Sequence, residues 1–509
     1  MNKVFSAAIT GLEAELVEVE ADLTTGLRFF SIVGLPDKSV EESKERIAAA
    51  IKNSGGKPPQ KENKRVIINL APADLRKEGP GYDLPIAISF LLASEQLDFD
   101  SKDKLFIGEL ALDGKLRKVN GVLPICLMAK ERGINTVFMP KANAKEARLV
   151  QNIEVIPVQS LAELIGYLEN RIKLEPLKPL DIETEIFEKM SYPIDMGYIK
   201  GQQNAKRAIE IAASGNHNII MVGPPGSGKT LLAKAIPSIL PKMTRDEILE
   251  VTKIYSVAGK LSSKKPLISC RPFRSPHHSA SEASLIGGGS YPRPGEITLS
   301  HYGVLFIDEF PELHRDVLES LRQPLEDGLI NVARAKASYV FPAQFILVAA
   351  MNPCPCGYAN DPEKDCTCTP NQINRYQRKI SGPILDRIDL YVEVPHIKYE
   401  KLTDEKIEGS SEEIRQKVEK AREIQLKRFE NENINTNSEM NIPMMKKYCE
   451  TDEQGNKLLR NAVNNLHLSA RGFHRILKLA RTIADLEENL NITSLHIAEA
   501  LQYRPKTEI

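Results

Sequence analysis

The sequence predicts an α/β chain of two or three domains arranged around one nucleotide-binding core, and three observations predict it. A length of 509 residues exceeds what a single hydrophobic core serves. An apolar, β-branched run from Asn218 to Val222 ends in Gly223-Pro-Pro-Gly-Ser-Gly-Lys-Thr230, and Leu231 to Leu240 continues with helical periodicity. A second apolar run, Gly303 to Ile307, ends in two adjacent carboxylates, Asp308 and Glu309. Basic and acidic residues number 68 each, so nucleic-acid contact has to come from a local patch or an assembled ring, not from bulk charge. With 42% hydrophobic and 27% charged residues, no membrane-length apolar run and no signal-like core after Met1, a cytoplasmic protein is expected.

Residues 1–170 are expected to form a separate α/β domain. Val4 to Ile9, Leu16 to Asp22 and Phe29 to Val33 read as strands, Ser39 to Lys52 as an amphipathic helix and Arg65 to Leu70 as a buried strand. Leu84 to Leu92 is an apolar helix, and a hairpin around Asp113-Gly114 joins Leu105–Leu110 to Lys115–Val119. A helix over Leu123–Arg132 and two late parallel strands, Thr136–Met139 and Glu154–Val158, complete the domain.

Within it, Gly108-Glu-Leu-Ala-Leu-Asp-Gly114, then Val119-Asn-Gly-Val-Leu-Pro124 and a helix, with Lys77-Glu-Gly-Pro-Gly-Tyr82 upstream, resemble the Lon-type protease domain. That family places a nucleophilic Ser after Gly-Pro and a Lys near the start of the later helix. Gly81 and Leu123 stand at those positions, and neither can attack a peptide or take up a proton. The resemblance therefore implies a proteolytically inactive relative. Residues 171–192 alternate proline, charge and single apolar residues, which is linker composition.

Residues 193–397 carry the chemistry. In a strand–loop–helix context, Gly223, Gly226 and Gly228, with Pro224, Pro225 and Ser227 between them, let backbone N–H groups converge on ATP phosphates at a positive helix end. Lys229 would reach the β- and γ-phosphates and the Thr230 hydroxyl would hold Mg²⁺. Asp308 would hold the Mg²⁺ shell and Glu309 polarise the attacking water. A third apolar run, Ala343 to Met351, ends in Asn352, which would orient that water.

These segments resemble the AAA+ ATPases of the Mg-chelatase-like branch, and the resemblance sharpens to the YifB/ComM family over nearly the whole chain. Its most specific stretches are Arg271-Pro-Phe-Arg-Ser-Pro-His-His278, Ile286-Gly-Gly-Gly-Ser-Tyr-Pro-Arg-Pro-Gly-Glu296 and Met351-Asn-Pro-Cys-Pro-Cys-Gly357. The resemblance puts Asn352 at sensor 1, Arg387 at the finger that enters a neighbouring subunit, and Arg471 at sensor 2, on the nucleotide-facing corner of a lid over ATP. An arginine supplied in trans implies a ring, a homo-hexamer. A salt bridge from Arg387 to Asp386 or Asp389 is the structural alternative, and Arg375 or Arg378 are alternative fingers.

The resemblance aims the loop between Ala280 and Ser300 into the ring pore, where Tyr291 and Arg293 suit contact with DNA; a solvated loop tip is the plain alternative. Arg334 and Lys336, on a hairpin before the third run, form a second candidate DNA contact. Cys354, Cys356, Cys366 and Cys368 form C-x-C…C-x-C, which points to a structural Zn²⁺ site, with two disulfides or an iron–sulfur cluster as alternatives. Residues 398–509 turn helical, opening on the capping box Ser410-Ser-Glu-Glu413, and fit the AAA+ lid.

The resemblance as a whole implies an ATP-driven motor that promotes branch migration of branched DNA during recombination and natural transformation. The rivals are a Mg-chelatase motor subunit, disfavoured by the fused Lon-like domain and the cysteines, a protein remodeller, and a bare Lon-type protease.

Overall fold

The computed structural model describes residues 3–61, 63–180, 192–262, 265–289, 292–334, 337–359, 361, 364–397, 409–465 and 468–504. Contacts divide the chain into two units, Met1–Lys189 with Arg245–Ser269, and Met190–Thr244 with Cys270–Ile509.

The first unit is built on a seven-stranded sheet. Its order is Phe29–Val33, Lys64–Ala71, Glu13–Thr25, Lys3–Thr10, Lys104–Phe106, Thr136–Pro140, Glu154–Val158. Alternate residues of the long strands are buried (Val17, Val19, Ala21; Val66, Ile68, Leu70), as a sheet with one covered face requires. Lys3–Thr10 and Lys64–Ala71 flank Glu13–Thr25 antiparallel, while the other neighbours pair parallel. Ten of the eleven residues of helix Asp83–Ala93 are buried, so it reads as an apolar run without a polar face. Burial pushes its Asp83 carboxyl up to about 6 even though Arg46 donates to both carboxylate oxygens, at 2.9 and 3.1 Å.

The expected hairpin over Leu105–Leu110 divides. Lys104–Phe106 joins the large sheet, drawn in by Phe106 stacking on Phe138 with ring centroids 4.8 Å apart, and only Glu109–Leu110 pairs with Leu116–Arg117. Leu123, on helix Val122–Glu131, is wholly buried.

Against that helix lies helix Arg245–Val257, which falls within the stretch assigned to the ATPase core. Its buried Ile248, Val251, Ile254 and Tyr255 explain the placement, because they need an apolar partner. The chain after it is fixed by the Gly121 N–H donating to the Ser256 carbonyl at 3.1 Å and by Lys118 donating to the Leu261 carbonyl.

The second unit holds a five-stranded parallel sheet in the order Phe273–Arg274, Val304–Ile307, Ile346–Met351, Ile219–Val222, Leu390–Glu393. Its three central strands are wholly buried, as their continuous apolar runs predict. The residues expected to form a distinct lid share one core with this sheet: Ile476, Leu479, Ala480 and Ile483 of helix Ala470–Leu486 pack in the same cluster as Ile209, Leu232 and Val348. Ser410 caps helix Ser411–Arg428 by accepting from the Glu413 N–H at 3.2 Å.

A buried polar network ties helix Ala470–Leu486 to the N-terminal end of the sheet. His217 contacts Asp389 Oδ2 through Nδ1 at 3.0 Å and Thr482 Oγ1 through Nε2 at 2.9 Å. Asn437 donates to Thr482 and to Asp485, whose carboxylate also accepts from Arg428 and Arg481. Burial alone would raise the Asp389 carboxyl, but His217, Lys478 and Arg475 together hold it below the usual carboxylate value. No helix among the described residues is long and apolar enough to cross a membrane.

Candidate functional site

The C-terminal ends of the parallel strands bring five of the expected residues together, at the place where open α/β sheets bind ligands. Helix Lys229–Ile239 starts directly behind strand Ile219–Val222, and the turn between them needs left-handed backbone at Gly226 (φ 79°) and Gly228 (φ 92°). Lys229 is buried, and its ammonium folds back to donate to the carbonyls of Gly223 and Pro224 at 2.7 and 2.8 Å. Burial lowers its pKa, with Asp308 opposing. Asn352 Oδ1, at the end of strand Ile346–Met351, accepts from the same Nζ at 3.4 Å. Thr230 Oγ1 donates to Asp308 Oδ2 at 3.0 Å, joining the two partners expected around a magnesium ion.

Glu309 stands in left-handed backbone at φ 50°, which turns the chain after Asp308 and leaves its carboxylate exposed. His278 contacts that carboxylate through Nδ1 at 2.8 Å. Ser227 Oγ is buried without a hydrogen-bond partner, and Gln202 reaches across to the Ser227 carbonyl at 3.3 Å. A turn with two left-handed glycines at a helix start, an orphaned hydroxyl, an ammonium on two carbonyls and a hydroxyl–carboxylate pair fits a Mg²⁺-nucleotide.

The two arginines lie elsewhere. Arg387 precedes strand Leu390–Glu393, so it sits at the N-terminal end of the sheet, where its backbone carbonyl accepts from Asn218 at 3.0 Å. Its guanidinium pairs with Glu326 and donates to the Pro383 carbonyl at 2.6 Å, not with Asp386 or Asp389. Asp386 is taken by Arg471 at 3.4 Å and Arg475 at 3.3 Å, and Asp389 by His217. Arg471 therefore stands beside Arg387, not over the phosphate loop of its own chain as expected. The cause is helix Ala470–Leu486, which docks by Arg475 donating to the Leu385 and Ile388 carbonyls at 3.0 and 2.7 Å. Arg387, Arg471, Arg475, Asp386, Glu326 and Lys478 line an open cleft of about 600 Å³.

The loop between Ala280 and Ser300 is only partly free. Helix Glu282–Ile286 leads into paired Gly287–Gly288 and Arg293–Pro294, and Glu296 is clamped by both arms of Arg274 at 2.6 and 2.7 Å. Arg293 is exposed, whereas Tyr291 lies outside the described residues. Arg334 ends strand Leu329–Arg334, paired with Ala337–Pro342 as the expected hairpin, and Lys336 lies outside the described residues.

The four cysteine sulfurs lie within 4.8 Å of one another, with Cys354 Sγ 3.3 Å from Cys356 and 3.7 Å from Cys366, and Cys356 3.6 Å from Cys366. Tetrahedral Zn–S bonds of about 2.3 Å require sulfurs about 3.8 Å apart, so the cluster fits zinc. None of the four is in a disulfide. Backbone N–H groups of Cys356 and Ala359 donate to Cys368 and Cys354 sulfurs at 3.4 and 3.3 Å, as suits thiolate ligands.

Sequence reasoning passed over His278, Arg475 and Gln202. His278 lay in the quoted Arg271–His278 stretch, and Arg475 stands one helical turn beyond Arg471 on the same face.

The chain is 44% identical to the competence protein ComM of Haemophilus influenzae over 98% of its own length and 97% of that protein's. It belongs to the ComM/YifB family. YifB of Escherichia coli is 41% identical over 98% of this chain and 96% of its own. Three family descriptions match in succession: subunit ChlI of Mg-chelatase over residues 19–143, magnesium chelatase subunit ChlI over 195–402, and the ChlI C-terminal part over 408–504. Lon protease 2 of Bacillus subtilis is 27% identical over 30% of this chain and 29% of its own, a weak likeness in the N-terminal region. Membership in this Mg-chelatase-like AAA+ group implies an ATPase that uses ATP and Mg²⁺. A ChlI description also covers residues 19–143, the region expected from sequence to count against a chelatase subunit.

Proposed function

We propose that the chain is an ATP-driven ring motor, a homo-hexamer, that moves branched DNA by branch migration in recombination and natural transformation. The observation that carries the ring is the separation of Arg387 and Arg471 from the phosphate loop of their own chain by the length of the sheet, roughly 16 Å at about 3.3 Å per residue from Asn218 to Gly223. Neither can serve its own loop, so each site borrows both from a neighbouring copy. DNA as substrate is supported by the full-length likeness to a competence protein.

In this reading Lys229 exchanges its two carbonyl partners for β- and γ-phosphate oxygens, and Thr230 and Asp308 hold Mg²⁺. Held there, Mg²⁺ would supply positive charge against the phosphate oxygens. Glu309 polarises the water once His278 releases it, and Asn352 orients that water. Arg387 and Arg471 of the neighbouring copy stabilise charge on the γ-phosphate. The four cysteines hold Zn²⁺ structurally, and Tyr291, Arg293, Arg334 and Lys336 contact DNA.

A Mg-chelatase-type motor is the second reading, favoured by the three ChlI matches. The deciding measurement is steady-state ATP hydrolysis with and without four-way-junction DNA, with junction movement scored on gels and Lys229→Ala as the blank. Stimulation with ATP-dependent junction movement is expected, both absent in the variant. Hydrolysis that ignores every DNA tested would overturn the DNA motor and favour the chelatase-type or remodelling readings.

A further inference from the structure

The cysteine knuckle is built directly onto the phosphate loop. Cys354 is buried and follows Asn352 by two residues, and Asn352 accepts from Lys229. Gly357, within the knuckle, takes left-handed backbone at φ 88° and lies flat against Pro225 of the loop. A Cβ built on it would meet Pro225 Cδ at 2.6 Å and lie 3.9 Å from Asn352 Cγ, so the fit leaves no room for a side chain.

The knuckle's underside is held too. Gln377 donates to the Pro353 carbonyl at 3.3 Å, and the Gly357 N–H donates to the Cys354 carbonyl at 3.0 Å. Neither bond links the Cys354–Cys356 pair to the Cys366–Cys368 pair. The thiol contacts and the Cys356 N–H···Sγ bond to Cys368 do that: the sulfurs of Cys354, Cys356 and Cys366 lie 3.3–3.7 Å from one another and all four lie within 4.8 Å, the spacing of a four-sulfur metal site.

We infer that the Cys354–Cys368 knuckle is a metal-dependent brace: a tetrathiolate-bound divalent cation of the zinc class fixes Gly357 against Pro225 and so sets the nucleotide affinity of the phosphate loop. The inference rests on the reading of Gly223–Thr230 as an ATP cradle. Metal removal releases the second cysteine pair, Gly357 loses its footing, and Pro225 and Asn352 lose a common wall. Nucleotide affinity then falls while Lys229, Thr230 and Asp308 remain intact.

The test uses the full-length protein and reads metal and nucleotide separately. Zinc per chain is measured by mass spectrometry, and the Kd of a fluorescent ATP analogue is measured before stripping, after zinc is displaced with a thiol-directed mercurial and thiol is restored, and after zinc is added back. One zinc per chain is expected, with affinity at least about tenfold weaker on stripping and recovered on add-back, the scale of one lost hydrogen bond to a charged group. Gly357→Ala keeps the four ligands, so it should retain zinc yet show the same weakening; circular dichroism confirms that it folds. Absence of zinc from protein purified without chelators overturns the metal site. Zinc present but affinity unmoved by stripping and by Gly357→Ala overturns the brace alone. Absence of nucleotide binding in the zinc-loaded protein overturns the ATP cradle, and the brace with it.

Discussion

The two ends of the five-stranded sheet are opposites in how they satisfy their charges. At the C-terminal end three side chains rest on partners that a ligand could replace: Lys229 on two carbonyls, Thr230 on Asp308 and Glu309 on His278. At the N-terminal end the arginines Arg387, Arg471 and Arg475 share two carboxylates, Glu326 and Asp386, and the Arg471 side chain is 63% exposed. On the proposed reading, one end receives phosphate and the other supplies positive charge. On the ring reading, each is half of a site completed by the next copy.

The largest effect that can break this comparison comes from Arg387→Ala. Hydrolysis should fall about 1000-fold, the scale of a trans arginine, with nucleotide affinity nearly unchanged. Mixing that variant with Lys229→Ala should restore hydrolysis, because intact halves then meet at some interfaces; a silent mixture would sink the two-ended site. Arg471→Ala should cost about 10–100-fold, as loss of a charged hydrogen bond does. It should be rescued by Lys229→Ala but not by Arg387→Ala, and rescue by the latter would show that the arginines serve different ends.

The smallest effect on chemistry is expected from Asp485→Ala, which leaves buried Arg481 and part-buried Arg428 without their shared carboxylate. Breaking such a buried pair costs about 3–5 kcal/mol of stability, readable by urea unfolding. Hydrolysis at low temperature should hold. An unchanged unfolding midpoint would show that the network does not anchor the arginine-bearing helix.

What the sequence reveals follows the range of the interactions. The phosphate end is legible because Gly223–Thr230 is one continuous stretch, and because Asp308–Glu309 and Asn352 each close an apolar run. Likeness singles out Arg387 and Arg471, but their location is not legible. That depends on Arg475 finding the Leu385 and Ile388 carbonyls, nearly ninety residues away in the chain. The apolar face of Arg245–Val257 is equally visible, yet nothing local says that Val122–Glu131 is its partner. The hairpin over Leu105–Leu110 fails for the same reason, since Phe106 answers to Phe138 and not to its neighbours in sequence.

The placement of Arg245–Ser269 also bears on heredity and engineering. The backbone passes between the two units three times, at 189–190, 244–245 and 269–270. Such a chain cannot be shuffled as end-to-end cassettes. A fragment that begins at residue 190 carries a helix whose Ile248, Val251 and Ile254 have lost their partner, and a fragment that stops at 189 leaves the matching surface bare. No single cut in the chain therefore separates the two units.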